Sequence, residues 1–335
     1  VKLKEVGEFG FIDLINRGLI HDSAKVIKGI GDDAAVLAPS GTNRLLLTTD
    51  MMVEEVHFSF RYATYRQVGH KALAVNLSDI AAMGGRPTHG VVSLAIPSGT
   101  EVENLQELYR GMAGLAARYG VNIVGGDTVK SANQLVINLA LLGEVEQERV
   151  IFRSGAQVGD YIMVTGTLGD SAAGLHLCQH PEIPLRPEMA EVLRKRHLEP
   201  QARLDAAGLL AETGLVTAMN DISDGLAGEI REICQASGVG CSLEGKDIPL
   251  SEETRALGRI TGYDPLQWAL YGGEDFQLVF TVKPEGPEVI QKIFATAGLG
   301  VAVIGRITSL HEGIKLDTGE GSRALESGGY DHFSL

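Results

Sequence analysis

Along this chain, carboxylates keep returning to the ends of apolar runs, beside residues that let a backbone come close. The tips read GIGDDAAVL (29–37), LLLTTD (45–50), VNLSDIAAMG (75–84), IVGGDT (123–128), MNDISDG (219–225) and YGGEDF (271–276). Solvated surface acids have no need of such company. Carboxylates set among glycines and hydroxyls at strand and helix ends are what a site for several cations and phosphates requires. The fold must therefore bring sequence-distant tips together.

A chain of 335 residues, 44% of them hydrophobic, can bury a full core, and its length favours two domains. Its 29 basic and 43 acidic residues leave a net charge of -14, against a nucleic-acid surface. An acidic protein that handles phosphates needs cations between the two. No apolar run reaches the roughly 20 residues of a membrane span, and the opening VKLKEVGEFG lacks the centre of a secretory signal. The expected compartment is the cytoplasm. Cys178, Cys234 and Cys241, an odd number without CxxC spacing, read as core or near-core thiols.

The first half alternates strand-like runs (44–49, 89–96, 121–124 and 135–145) with helical patterns. In one of these Leu105, Leu108, Met112, Leu115 and Tyr119 share a face that stops at Gly120. Residues 145–160 read as a crossing between domains. Beyond it, strands are expected at 161–165, 276–282 and 301–307. Helices are expected at about 170–180, 187–197, 201–212, 224–236 and 285–297, and 317–329 as loop. The expected division is thus 1–145 and 146–335, with α/β and α+β layers around separate cores.

Taken singly, each tip has a plain structural reading. Asp79 lies in a nearly all-apolar helical run (72–83), where a lone carboxylate is costly unless a cation or several donors meet it. Thr48, Thr49 and Asp50 end a strand; they suit a magnesium shell or simply a polar strand end. Asp32 and Asp33 form either a surface turn or a repelling pair that needs a cation. Gly126 and Asp127 offer bare amides to a phosphate, or an ordinary turn. Ser223 or Asp224 is an N-cap by default and a phosphate site by geometry; Asp221 stands just before them. Glu274 sits in a turn, Arg153 is a phosphate clamp or the partner of an acid, and His57 is a structural histidine when viewed alone.

There is no GxxxxGK[ST], no protein-kinase signature, no GxSxG and no HExxH, and GIGDDA lacks the third glycine of a dinucleotide fingerprint. Taken together, GIGDDAAV, TTD followed by His57, KALAVNLSDIAAMG, GGDT, RSGA, ISDG, GGEDF and terminal GYDHF resemble the thiamine-monophosphate kinases. They do so in order, over almost the whole chain. The wider superfamily includes aminoimidazole ribonucleotide synthetase, selenophosphate synthetase and a hydrogenase-maturation protein.

The resemblance implies the two-domain aminoimidazole ribonucleotide synthetase-like fold, α/β and α+β, in a homodimer whose N-terminal sheets form a barrel. ATP would bind near that interface, with the C-terminal domain closing the site. It further implies Asp33, Thr48, Thr49, Asp50, Asp79, Asp127, Asp221 and Asp224 as magnesium ligands, with turnover resting on Asp50, Asp127 and Asp224. Tyr109, Gly126, Asp127, Arg153 and Ser223 would contact ATP. His57 and Glu274 would hold thiamine monophosphate, and Ser327 stands where the family often carries an aromatic that stacks on the thiamine. Stacking then falls to Tyr330 or is absent.

The implied reaction is ATP-dependent phosphorylation of thiamine monophosphate to thiamine diphosphate by in-line transfer with several magnesium ions, without nucleic acid or membrane partners. The nearest alternative is a superfamily member that phosphorylates a carbonyl oxygen and closes a ring; GGEDF with GYDHF points away from it. The selenium and hydrogenase branches expect a terminal cysteine that this chain lacks. A non-catalytic calcium-binding module is a further alternative, and no EF-hand spacing supports it.

Overall fold

The computed structural model describes residues 26–28, 32–38, 42–319, 321–326 and 328–329. Its first part runs β1 (Val26–Lys28), β2 (Ala35–Leu37), β3 (Asn43–Val53), α1 (Tyr65–Ala82), β4 (Arg86–Pro97), α2 (Val102–Tyr119), β5 (Asn122–Ser131) and β6 (Val136–Glu146). The strands form a six-stranded sheet in the order β1-β2-β3-β6-β4-β5. All pairings are antiparallel except β4 with β5. Among the described residues this sheet is open, with β1 and β5 at its edges.

Strand periodicity decides which side chains meet the helices. Along β3, Leu46, Thr48 and Met52 are buried, whereas Leu47, Thr49 and Met51 are exposed. The covered face packs against α1 and α2, with Leu46, Leu73, Leu77, Leu108, Met112 and Leu139 all inaccessible. Each such side chain contributes on the order of 2 kcal/mol through burial.

Thr64 starts α1 through a capping box with Gln67: its hydroxyl accepts the Gln67 N–H and the Gln67 side chain accepts the Thr64 N–H. The helix is buried nearly all round because it has a core on two sides. One side faces the first sheet, while Ala81 and Ala82 pack with Met163, Ala206, Leu210, Met219 and Phe280 of the second part.

Small residues let α1 and α2 approach. A β-carbon added at Gly111 would fall well inside contact distance of the Arg66 carbonyl oxygen, and one at Gly69 would do the same to that of Leu108. Gly111→Ala should therefore destabilise the fold by roughly 1–3 kcal/mol or more, because backbone rather than a movable side chain blocks the way. An unchanged melting temperature would contradict this close crossing. The helix α2 stops as its sequence suggests, at Gly120 in the left-handed region (φ 70).

The second part comprises β7 (Tyr161–Thr165), α3 (Asp170–Gln179), α4 (Pro187–Leu198), α5 (Leu204–Thr213), β8 (Val216–Asp221), α6 (Leu226–Ser237), β9 (Gly240–Glu244), α7 (Glu252–Thr261), α8 (Pro265–Tyr271), β10 (Leu278–Val282), α9 (Gly286–Ala297), β11 (Val301–Thr308), β12 (Ile314–Asp317) and β13 (Ser322–Ala324). Its seven-stranded sheet has the order β13-β12-β9-β11-β7-β10-β8. The interior strand β10, between β7 and β8, is buried at every position because both faces are covered: Val279 belongs to one core, and Leu278, Phe280 and Val282 to another.

Two expectations are corrected. Residues 317–329 are not all loop, since β12 ends at Asp317 and β13 pairs with it. The helix expected at 224–236 has its N-cap at Gly225 (φ 107), with no side-chain cap from Ser223 or Asp224. A β-carbon there would meet the backbone of Leu270 and Tyr271, which leaves the position to glycine.

Candidate active site

Four of the six acidic tips gather where α1 passes between the two sheets. Asp33, just before β2, Asp79, on α1, and Asp221, at the end of β8, bring one carboxylate oxygen each within 4.8 Å of one another. Their holders come from both parts of the chain. The hydroxyl of Thr48 donates to Asp79, and the hydroxyl of Ser78, one residue earlier on α1, donates to Asp221. Asp50, two residues beyond Thr48 on β3, is hydrogen-bonded to Asp79 and feels the charge of Asp33.

So many acids in one place resist ionisation. Burial pushes Asp79 well above the usual carboxylate range, and Asp50, Asp221 and Asp33 add to it. Burial and then Asp33 do the same to Asp221. Asp50 is pushed up to about 6, chiefly by burial, although its bond with Asp79 works the other way. A protein gains nothing from repulsion of this kind unless a cation relieves it. Hard, anionic oxygen donors in a shared space fit magnesium, which the carboxylates of Asp33, Asp79, Asp221 and Asp50 would hold with the hydroxyl of Thr48 beside them.

Arg153 is the protein's own counter-charge. Its Nη2 and Nε donate to the two oxygens of Asp33 at 2.6 and 3.2 Å, Nε reaches Asn220 Oδ1 at 3.1 Å, and Nη1 lies 2.8 Å from Glu232. The backbone N–H of Arg153 donates to Asp32 at 3.3 Å. Burial, and next the adjacent Asp33, raise Asp32 to about 6 despite Arg153. Behind this group, buried Glu229 accepts from Ser223 Oγ at 3.2 Å, from the Asp224 N–H at 3.1 Å and from Asn220. Glu229 thus organises the turn in place of an N-cap.

A second grouping lies nearby. The GGEDF loop runs beside ISDG, with the Glu274 N–H donating to the Ser223 carbonyl at 2.6 Å and Phe276 N–H to that of Ile222 at 2.9 Å. Asp275 turns away to accept from the N–H groups of Gly169 and Ser171 at the start of α3, at 2.6 and 3.1 Å. Glu274 points the other way, toward Lys71 and His57. Nδ1 of His57 accepts the Val53 N–H at 3.0 Å, which leaves Nε2 to carry the proton in the neutral ring.

Four sequence candidates, Thr49, Asp127, Tyr109 and Gly126, stand apart from the carboxylate cluster. The hydroxyl of Thr49 is on the opposite face of β3 and bonds Asn138 Oδ1 and the Leu139 carbonyl at 3.2 and 3.1 Å. Asp127 lies on exposed edge strand β5, where its carboxylate accepts the Thr128 N–H at 2.9 Å. It faces Ser93, which faces Asn138, which faces Met51 next to Asp50. Three strand spacings of about 4.8 Å put the two tips on the order of 14 Å apart. Tyr109 is 40% exposed on α2. Gly126 neighbours Asp127 and packs on Val92 so closely that it has no room for a β-carbon. Ser327 and Tyr330 lie outside the described residues.

Ser78, Asn220, Glu229 and Glu232 escaped the sequence reading. Glu229 and Glu232, three apart on α6 directly after ISDG, were the available signal.

An acidic cluster at the joint of two mixed layers is the kind of site that metal- and phosphate-handling proteins carry. Residues 31–145 match the family described as AIR synthase related protein, N-terminal domain, and residues 157–316 match its C-terminal domain. The chain is 38% identical to the thiamine-monophosphate kinase of Bacillus subtilis (strain 168), over 97% of this chain and 99% of that one. It is also 38% identical to that of Aquifex aeolicus (strain VF5), over 99% of this chain and 100% of the relative. A solved structure described as AaThiL complexed with AMPPCP and TMP superposes with a TM-score of 0.87 at 37% identity, covering 99% of each chain. The chain belongs to the thiamine-monophosphate kinase family.

Proposed function

We propose that this protein transfers the terminal phosphoryl group of ATP to thiamine monophosphate, yielding thiamine diphosphate and ADP. The observation that carries the reading is the Asp33, Asp79 and Asp221 cluster with its Arg153 counter-charge, in a chain similar over its full length to thiamine-monophosphate kinases. Magnesium held by Asp33, Asp50, Asp79 and Asp221 would neutralise phosphate charge and orient the reacting oxygens. The acceptor is a phosphate monoester with a second pKa of about 6, so it is largely ionised at neutral pH and needs little help from a base. Protein groups then act by position. Arg153 fixes the cluster, Ser223 and the glycine-bounded turns meet ATP, and His57 and Glu274 hold the acceptor. Transfer is direct and in line, with no covalent enzyme intermediate.

The exposed edge strand supports a homodimer. Bare β5, with Val124 62% and Val129 53% exposed, continues into an exposed sheet face carrying Met51 and Val91. Joining two such sheets into a barrel would cover these residues and bring Gly126, Asp127 and Tyr109 to an interfacial ATP site. We place the domains at 1–145 and 146–335 and the protein in the cytoplasm; no helix of the described residues is long and apolar enough to cross a membrane. The deciding assay supplies thiamine monophosphate, ATP and magnesium and separates the products by chromatography. Thiamine diphosphate and ADP should form in equal amounts, strictly with magnesium. Hydrolysis of ATP without a phosphorylated thiamine product would sink the reading.

A further inference from the structure

Lys71 is a charged residue buried at the boundary between the two parts of the chain, outside the magnesium and ATP groups. It stands on α1 and is 3% exposed. Its ammonium donates to Glu274 Oε2 at 2.7 Å and to the His57 carbonyl at 3.3 Å. One cation of the first part thus binds both residues assigned to the acceptor, His57 through its backbone and Glu274 through its carboxylate from the second part. His197, 2% exposed, completes the surround: its Nδ1 lies 3.3 Å from the same Glu274 oxygen and 3.1 Å from Ser171 Oγ. Burial, and then Lys71, lower His197 to about 3, so the ring is neutral and Lys71 supplies the ion pair.

Glu274 is held against its own preferences. Its backbone is left-handed (φ 67), a region that non-glycine residues avoid, and burial opposes its charge. The charge and hydrogen bond of Lys71 work against the burial, and the carboxyl is held below the usual range. A buried ion pair is no cheaper for stability than an apolar pair. This one retains a carboxylate whose side chain is still 28% exposed, while the lysine behind it is closed off at 3%. Such an arrangement presents an aimed anion, and a thiamine acceptor carries a positively charged ring.

We infer that Lys71 is the positioning residue of the acceptor subsite, tying Glu274 to the His57 segment across the domain boundary so that the Glu274 carboxylate faces the incoming cationic ring. This rests on the reading that His57 and Glu274 hold the acceptor.

The test compares the parent with Lys71→Met, Lys71→Arg, Glu274→Gln and the Lys71→Met/Glu274→Gln pair, measuring kcat, the KM for thiamine monophosphate, the KM for ATP, and Tm. Lys71→Met should raise the acceptor KM about tenfold or more and leave the KM for ATP within about twofold. The double variant should be no worse in acceptor KM than Glu274→Gln alone, since both act through one carboxylate. Should Lys71→Met fail to fold, Lys71→Arg carries the test, because it keeps the charge and displaces it: a raised acceptor KM at parental Tm supports the role, and an unchanged one overturns it. Both KM values rising together with a fall in Tm would mark Lys71 as merely structural and overturn the inference. If Glu274→Gln leaves the acceptor KM untouched, the acceptor reading itself fails; if only Lys71→Met leaves it untouched, the inference about Lys71 fails alone.

Discussion

Asp79→Asn should cost turnover at least about a hundredfold and yet leave the metal-free protein as stable as the parent, or more so. The first half follows from ligand chemistry: an amide oxygen replaces an anionic donor at the centre of the cluster, where even supporting groups are typically worth about 10–100-fold in metal affinity. The second follows from charge. Desolvation, and then Asp50, Asp221 and Asp33, oppose the ionisation of the half-buried Asp79, and the new amide oxygen can still accept from Thr48. Raised carboxylates contribute stability while protonated, below their unfolded pKa near 3.8, and lose it as pH rises through the folded value, about 6 for Asp50. Melts in chelator should therefore show the variant gaining on the parent from pH 5 to pH 7.5. Added magnesium should stabilise the parent more than the variant. Parental turnover, or a variant that loses stability at pH 7.5 without metal, would falsify this account of the cluster.

Arg153→Met should do the opposite, destabilising the fold by about 3–5 kcal/mol along with activity. The guanidinium is the shared partner of Asp33, Glu232 and Asn220, and its removal strands buried acids in a site already short of positive charge. Lysine cannot replace it, because one ammonium does not make the two-pronged bond to Asp33 while reaching Asn220 and Glu232. The loss should shrink in acid, where Asp32, raised to about 6, takes up a proton and ceases to need a counter-charge. Chemical denaturation at pH 5 and pH 7.5 reads this directly. An equal loss at both pH values would show that Arg153 acts through packing instead.

Local pattern made much of the fold legible. The face of α2, its stop at Gly120 and the strand at Tyr161–Thr165 follow from periodicity and glycine alone. The start of α1 did not, because Tyr65 to Lys71 look polar until Lys71 is seen to be buried by Glu274. The β13 strand escaped because three exposed residues in a glycine-rich stretch carry no alternation. At the site, the aspartates were readable as tips, but their company was not. His197 meets Glu274 across 77 residues, and Ser78 meets Asp221 across 143. No spacing rule spans such distances. Thr49 is the reverse case: strand alternation already separates it from Thr48 and Asp50, and its bond to Asn138 follows from that.

Ser78 and Asp79 are consecutive on one helix, and each is fastened to a different sheet, Ser78 to the end of β8 and Asp79 to Thr48 of β3. One domain cannot swing from the other without pulling these neighbours against opposite anchors and parting the acids they steer. Occupancy of the cluster is thereby linked to the docking of two otherwise separate cores, and the free energy of binding is shared with cooperativity. With the acids bridged by a cation, the two halves should melt as one body.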